Sequence, residues 1–256
     1  MKFIYPLYAI LLLFVTSCTE VITLELDTAT QKPVIDATLN ATTGTCKVIL
    51  TKTGGFYQKK DFDKISNAIV SLVDGNGLRY NLSETSTGIY EIGNIKVQPG
   101  NNFTLTIENV EGKTYKAEAL TPYPGRAVEI SKQLFANPAT DTLPSFFTSL
   151  LIEDYPEVKN YYQMKSYING KFQASIFDFT GDEWFDGYTV ELPSSAVVYE
   201  GDTMVLELIS MNKAMYQYVL EMSENLELAY NPKTNFDGDV FGRFGIFYSD
   251  SKEIKL

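Results

Sequence analysis

Four carboxylates and the only tryptophan of this chain crowd into one short run: Asp178, Asp182, Glu183 and Asp186 surround Trp184 between Asp178 and Gly187. An oxygen-rich loop of this kind suits a hard cation such as calcium, which takes six to eight oxygen ligands at about 2.3–2.6 Å. The spacing does not follow the Asp-x-Asp-x-Asp-Gly pattern of an EF-hand loop. The same acids raise the chemistry of glycoside hydrolysis, which needs two carboxyl groups held roughly 5 to 9.5 Å apart across a cleft. Neighbouring positions on one loop do not provide that opposition. The expectation is therefore a solvated acidic loop pinned by Trp184 and Phe185 in a core, with calcium and carboxylate hydrolysis as its chemical alternatives. Asp237 and Asp239 form a second, smaller acidic group, which matters only if the fold brings it beside the first.

What is missing narrows the chemistry further. The chain has no histidine, which removes the commonest general base, the usual metal ligand and every imidazole-based triad. Cys46 alternates with Val48 and Leu50, the pattern of a thiol facing a core, where it is inert. No catalytic residue and no cofactor is assigned, and the chain is expected not to be an enzyme. Aromatic side chains are the remaining resource, since they stack on flat ligands and fill pockets on partner proteins. Trp184, Tyr161 and Tyr162 are the candidates for ligand binding. Along a strand the last two must point to opposite faces, so one of them is expected to be exposed or at a domain junction.

The elements that position these side chains are mostly strands. From Pro33 to Thr121 apolar residues recur with period two, as in Val34–Leu39, Cys46–Thr51, Ala68–Val73, Leu78–Leu82, Gly88–Tyr90, Phe103–Ile107 and Thr114–Ala119. Asp74-Gly75-Asn76-Gly77 supplies the positive φ of a tight hairpin turn. Thr121-Pro122-Tyr123-Pro124-Gly125 breaks the pattern, because proline lacks a ladder donor. A domain boundary is placed there. Residues 126–256 continue with strands at Val128–Ser131, Phe146–Ile152, Asn160–Tyr167, Phe172–Phe179, Tyr188–Leu192 and Met204–Ile209. Asn169-Gly170 is a type I′ hairpin signal. Met211–Glu224 has helical spacing, with Ser210 as its expected cap. Gly238–Tyr248 closes the chain as a strand whose glycines predict a bend or bulge. The fold class is mainly β: two antiparallel sandwich-like domains, 33–121 and 126–256, the second with one late helix at 211–224.

The first residues say where such a protein resides. Lys2 precedes the apolar run Ile10–Phe14, which ends on Val15-Thr16-Ser17-Cys18. This is the layout of a secretory signal peptide, too short to span a bilayer, which takes about 20 apolar residues. Cys18 directly after the small pair resembles the lipobox of bacterial lipoproteins. That resemblance implies removal of residues 1–17, lipidation of Cys18, and residues 18–32 as a tether and first strand. Several acyl chains, at about 0.8 kcal/mol per buried methylene, hold a domain firmly on a membrane. Removing Met1–Ser17 takes away one lysine and no acid, leaving 20 basic and 32 acidic residues, net −12. Such a surface repels phosphate backbones, so no nucleic-acid partner is expected.

Two family resemblances follow from the order of the motifs. Ala68–Leu72, Gly77, Gly88-Ile89-Tyr90, Pro99-Gly100 and Phe103–Leu105 resemble the transthyretin-like, or carboxypeptidase-regulatory-like, sandwich, in which the Gly-x-Tyr tyrosine, here Tyr90, is structural. The lipobox, the strand at Val34, the Thr-Pro break, Asn160-Tyr161-Tyr162, Asp182–Gly187, the late helix and Phe244-Gly245-Ile246-Phe247 together resemble the Bacteroidetes lipoprotein family called domain of unknown function 4249. That resemblance implies a lipid-anchored outer-membrane protein, with the cell surface favoured over the periplasmic face, often associated with TonB-dependent transporters. Glu20 is the only acid close to Cys18. The function expected is a non-catalytic binding or accessory lipoprotein beside such a transporter. The alternatives are a structural or adhesive envelope lipoprotein and, more remotely, a carboxylate glycoside hydrolase.

Overall fold

The computed structural model describes residues 30–54, 61–135, 144–173, 179–224 and 231–256. Cys18 and Asp178 lie outside the described residues, as does the middle of the strand expected at Phe172–Phe179.

Period-two patterning produces strands almost throughout. β1 (Pro33–Asn40) and β2 (Thr45–Lys52) form a hairpin in which Ile35, Ala37, Leu39, Cys46, Val48 and Leu50 are fully buried. Burial raises the Cys46 thiol to about 12, well above the range of a reactive cysteine. β3 (Ile69–Asp74) turns into β4 (Arg79–Ser86) through the expected Asp-Gly-Asn-Gly segment. There Asp74 Oδ1 accepts the N–H groups of Asn76 and Leu78, both at 2.9 Å, and Gly77 adopts φ +84°. β5 (Ile89–Ile92), β6 (Asn102–Val110) and β7 (Lys113–Leu120) complete the first sandwich. β4 is its corner: Arg79–Leu82 pair with β3, whereas Ser83–Ser86 pair with β5 across a register shift. Tyr90 is buried as expected, its hydroxyl accepting the Ala68 N–H at 3.0 Å.

The second sandwich sets a three-stranded sheet, β13 (Thr189–Tyr199), β9 (Ser145–Glu153) and β8 (Arg126–Phe135), against a layer built on β10 (Tyr161–Ile168) and β14 (Thr203–Met211). Leu150 and Ile152 from one side meet Tyr162, Met164, Leu206 and Leu208 from the other. Two short strands, β11 (Lys171–Gln173) and β12 (Phe179–Gly181), pair with β10. Asn169 and Gly170 take φ +49° and +76° between β10 and β11, the positive pair that a type I′ turn demands.

β15 (Phe241–Lys255) joins the two halves. Phe241–Phe247 run parallel to β1, and Phe247–Lys255 pair antiparallel with β14. The last strand therefore crosses the expected division at 121–126, so that residues 241–247 sit in the first sandwich rather than the second. No bulge interrupts either register. The strand's glycines serve close approach instead: a Cβ on Gly242, at φ +104°, would collide with the backbone of Ile35, and one on Gly245 would meet Met215 Sδ at 2.7 Å. Where described, the molecule is mainly β with one helix, α1 (Lys213–Glu224). Ser210 is not its cap. It lies in β14, and its Oγ accepts the Gly125 N–H at 2.9 Å, tying the linker to the second sandwich.

Candidate functional site

The acidic loop folds against a second loop that sequence spacing did not single out. Residues 154–160 join β9 to β10, and residues 182–188 join β12 to β13. Asp154 holds them together. One of its oxygens accepts from Asn160 Nδ2 at 3.1 Å and from the hydroxyl of Tyr162, and the other accepts the Gly187 N–H at 2.7 Å. Asp182 Oδ2 accepts the Asn160 N–H at 2.7 Å, and Asp186 Oδ1 accepts the Glu157 N–H at 2.9 Å. Asp154 and Asp182 are buried while Asp186 is exposed, and one carboxylate oxygen from each lies within 4.8 Å of the other two.

Three carboxylates this close repel one another, and the donors around them offset that repulsion. Asp182 is raised above the usual aspartate range, first by burial and then by the charges of Asp154 and Asp186. The Tyr162 phenol is pushed upward, chiefly by burial and next by its hydrogen bond to Asp154, so it stays a neutral donor. The cluster therefore acts as a cross-brace between loops. Its oxygens are the residues that could hold a hard cation, although they lie closer together than the opposed pair of a glycoside hydrolase. Glu183 does not join them. It turns to Lys159, Nζ to Oε1 2.7 Å, and this bond holds its carboxyl below the usual range.

The aromatic candidates separate. Trp184 does not pin the loop in a core. It is 93% exposed, because Phe185 takes the inward position and stacks on Tyr162 at 6.3 Å between centroids. Tyr188 and Tyr155 are exposed on the same pair of loops. Tyr162 is fully buried, its ring against Gly125 where a Cβ would come within 2.7 Å, so it is closed to any ligand. Tyr161 points the other way, as strand alternation requires. It lines a cavity of about 650 Å³ at the junction of the sandwiches, and its ring lies 4.7 Å from that of Tyr216. Tyr123, in the same lining, meets Tyr155 at 4.6 Å, so the exposed loops border the cavity. The Asp237–Asp239 group is elsewhere: Asp239 pairs with Lys32 at 2.8 Å beside the first sandwich.

Sequence spacing did not reveal Asp154, because its partners Asn160, Tyr162 and Gly187 lie on its own loop, on β10 and on the loop before β13. Thr121, Lys159 and Asn212, all lining the cavity, carried no motif at all.

Fold and site together define a two-lobed β-sandwich protein with an acid-braced aromatic loop pair beside a junctional cavity. The chain belongs to the family described as Domain of unknown function (DUF4249), whose sequence model matches residues 19–253. No curated protein matches it. Among solved structures it is similar to a two-domain fibronectin type III segment of chicken tenascin, at 11% identity and a TM-score of 0.24, over 88% of this chain and 99% of that one. It is also similar to the FN1–FN3 domains of chicken CNTN1, at 8% identity and a TM-score of 0.32, over 70% of this chain and 60% of that one.

Proposed function

We propose that this protein is a non-catalytic binding lipoprotein of the outer membrane, anchored through Cys18 and working beside a TonB-dependent nutrient transporter, with the cell surface as its favoured side. The observation that carries the reading is Trp184. A large apolar ring left 93% exposed on a loop fixed by buried carboxylates is an ordered anchor for a partner, since aromatic hot spots bind best when little side-chain or loop entropy remains to be lost. Tyr188 and Tyr155 extend the same surface. No cofactor enters this reading, and calcium at Asp182 and Asp186 would need room among oxygens that already accept N–H donors. No helix among the described residues is long and apolar enough to cross a membrane, so in this reading the acyl chains on Cys18 supply the attachment.

The test is capture of the tagged, lipidated protein from detergent-solubilised outer membranes, followed by mass spectrometry. Recovery of one transporter in fixed ratio is the expected result. Recovery of the protein alone would favour a structural or adhesive role in the envelope instead.

A further inference from the structure

The charges beside Trp184 define the chemistry of the surface that can cover it. Two consecutive turns carry the ring: Phe185 donates its N–H to the Asp182 carbonyl at 2.9 Å, and Tyr188 donates its N–H to the Phe185 carbonyl at 2.8 Å. The Asp154 N–H reaches the Tyr188 carbonyl at 3.3 Å, which sets Tyr188 beside the strand end that leads into Tyr155. The Glu157 N–H donates to Asp186 Oδ1 at 2.9 Å, which brings these two residues together across the loops. Trp184, Tyr188, Tyr155, Glu157 and Asp186 are all exposed.

This surface is unbalanced in charge. Lys159 is the only basic residue on the two loops, and Glu183 takes it at 2.7 Å. Glu157 and Asp186 have no ion-pair partner among the described residues. Nor does any cation of the described residues lie over Trp184, Tyr155 or Tyr188.

Twice elsewhere the same grouping of ring and carboxylate is completed by a cation. Arg243 Cζ lies 5.2 Å from the centre of the Tyr218 ring, with Nη1 3.2 Å from Asp36 Oδ1. Lys32 Nζ lies 5.6 Å from the centre of the Phe241 ring and 2.8 Å from Asp239 Oδ1. A cation held this way gains from the ring face and from the carboxylate together. On the loop pair the ring and the carboxylates stand two residues apart, and the chain itself supplies no cation to them.

Resting on the docking role proposed for Trp184, we infer that the partner presents a basic surface here. A lysine or arginine side chain of the partner stacks on Trp184 and pairs with Asp186 and Glu157, and apolar surface around it covers Tyr188 and Tyr155. A neutral apolar partner would bury both carboxylates without a counter-charge, which is costly. An acidic partner would be repelled by them.

The test repeats the capture from solubilised outer membranes with the full lipidated chain, reading the bait concentration that gives half-maximal recovery of the transporter. Wild type is compared with Glu157→Gln/Asp186→Asn and with Glu108→Gln/Glu253→Gln, an exposed pair on the distant strands β6 and β15 that changes net charge equally. Asparagine at 186 keeps an acceptor for the Glu157 N–H, so the loop pair stays braced. In about 0.1 M salt the first variant is expected to need roughly tenfold more bait and the second no more than wild type. Raising salt to about 1 M, which shortens the screening length from about 10 to about 3 Å, should weaken the wild type and bring it level with the first variant. Trp184-dependent recovery that neither salt nor Glu157→Gln/Asp186→Asn changes would overturn the basic partner and leave the docking role standing. Equal weakening by the two charge variants would overturn it as well, because net charge rather than this surface would then be at work. No recovery by the wild type at either salt would overturn the docking role and this inference with it.

Discussion

Asp154 does more to shape the loop pair than any other side chain, because it alone touches both loops and the core tyrosine between them. Its two oxygens accept from Asn160, Tyr162 and Gly187, and removing it strands the buried Tyr162 hydroxyl and the Gly187 N–H, whereas Asn160 Nδ2 keeps the Tyr155 carbonyl at 2.8 Å. Asp154→Ala is expected to lower stability by about 2–4 kcal/mol, read from the urea midpoint, and to lower the fluorescence anisotropy of Trp184 as the loop loosens. An unchanged midpoint would mean that the brace is decorative. The neighbouring acid should respond to pH in a definite direction. Asp182 is raised above the usual aspartate value of 3.8, mainly by burial, so its charged form opposes folding. Between 3.8 and the raised value the folded state holds more proton than the unfolded one. Acidification through that window should therefore stabilise the wild type relative to Asp182→Asn. Glu84 has the opposite sign. The Gly88 N–H, and after it the Asn67 N–H, hold its carboxyl low, so its contribution is present above the unfolded value and is lost as pH falls through the folded one. Stability curves of the wild type, Asp182→Asn and Glu84→Gln across acid pH separate the two effects. A flat difference curve for Asp182→Asn contradicts the account of the cluster.

At the scale of elements, β15 is the piece on which both sandwiches depend. Its first half completes the layer that begins with β1, and its second half covers β14. Gly242 permits the first of these pairings, since at φ +104° with the Ile35 backbone against it no side chain fits. Gly242→Ala is expected to destabilise the protein by about 3 kcal/mol or more, from steric overlap together with a backbone conformation that alanine resists. A loss under about 1 kcal/mol in a denaturant titration would show that β15 tolerates a shift away from β1. The same strand marks the limit of what sequence could reveal. Asp74–Gly77 and Asn169-Gly170 announce their hairpins because a tight turn is a local matter of positive φ. The parallel pairing of Val34 with Phe241 joins residues at opposite ends of the chain, and no local pattern encodes it. Ser210 made an acceptable cap by type and position, yet tertiary contacts gave its hydroxyl to Gly125 and left Asn212 at the helix start. Period and composition therefore specified the elements and the mainly β class. The connections that place Asp154, Thr121 and Asn212 around the site arise from packing.

At the scale of the whole molecule, the two sandwiches share one strand and flank an open cavity at their junction, with an ordered aromatic surface on the adjoining loops. Hydrophobicity alone argued that Trp184 belongs in a core, because large apolar residues usually lie inside. Its exposure is the informative exception, since Phe185 already fills the inward place beside Tyr162. This exception carries the proposed docking role. The most direct test compares membrane capture by the lipidated wild type with capture by Trp184→Ala, alongside the melting temperature of each. An exposed side chain contributes little to folding, so the two melting temperatures should agree. The account expects the wild type to recover one transporter in fixed ratio and Trp184→Ala to recover at least about tenfold less, the loss typical of a hot-spot aromatic. Equal recovery by both proteins, or none by either, would contradict it.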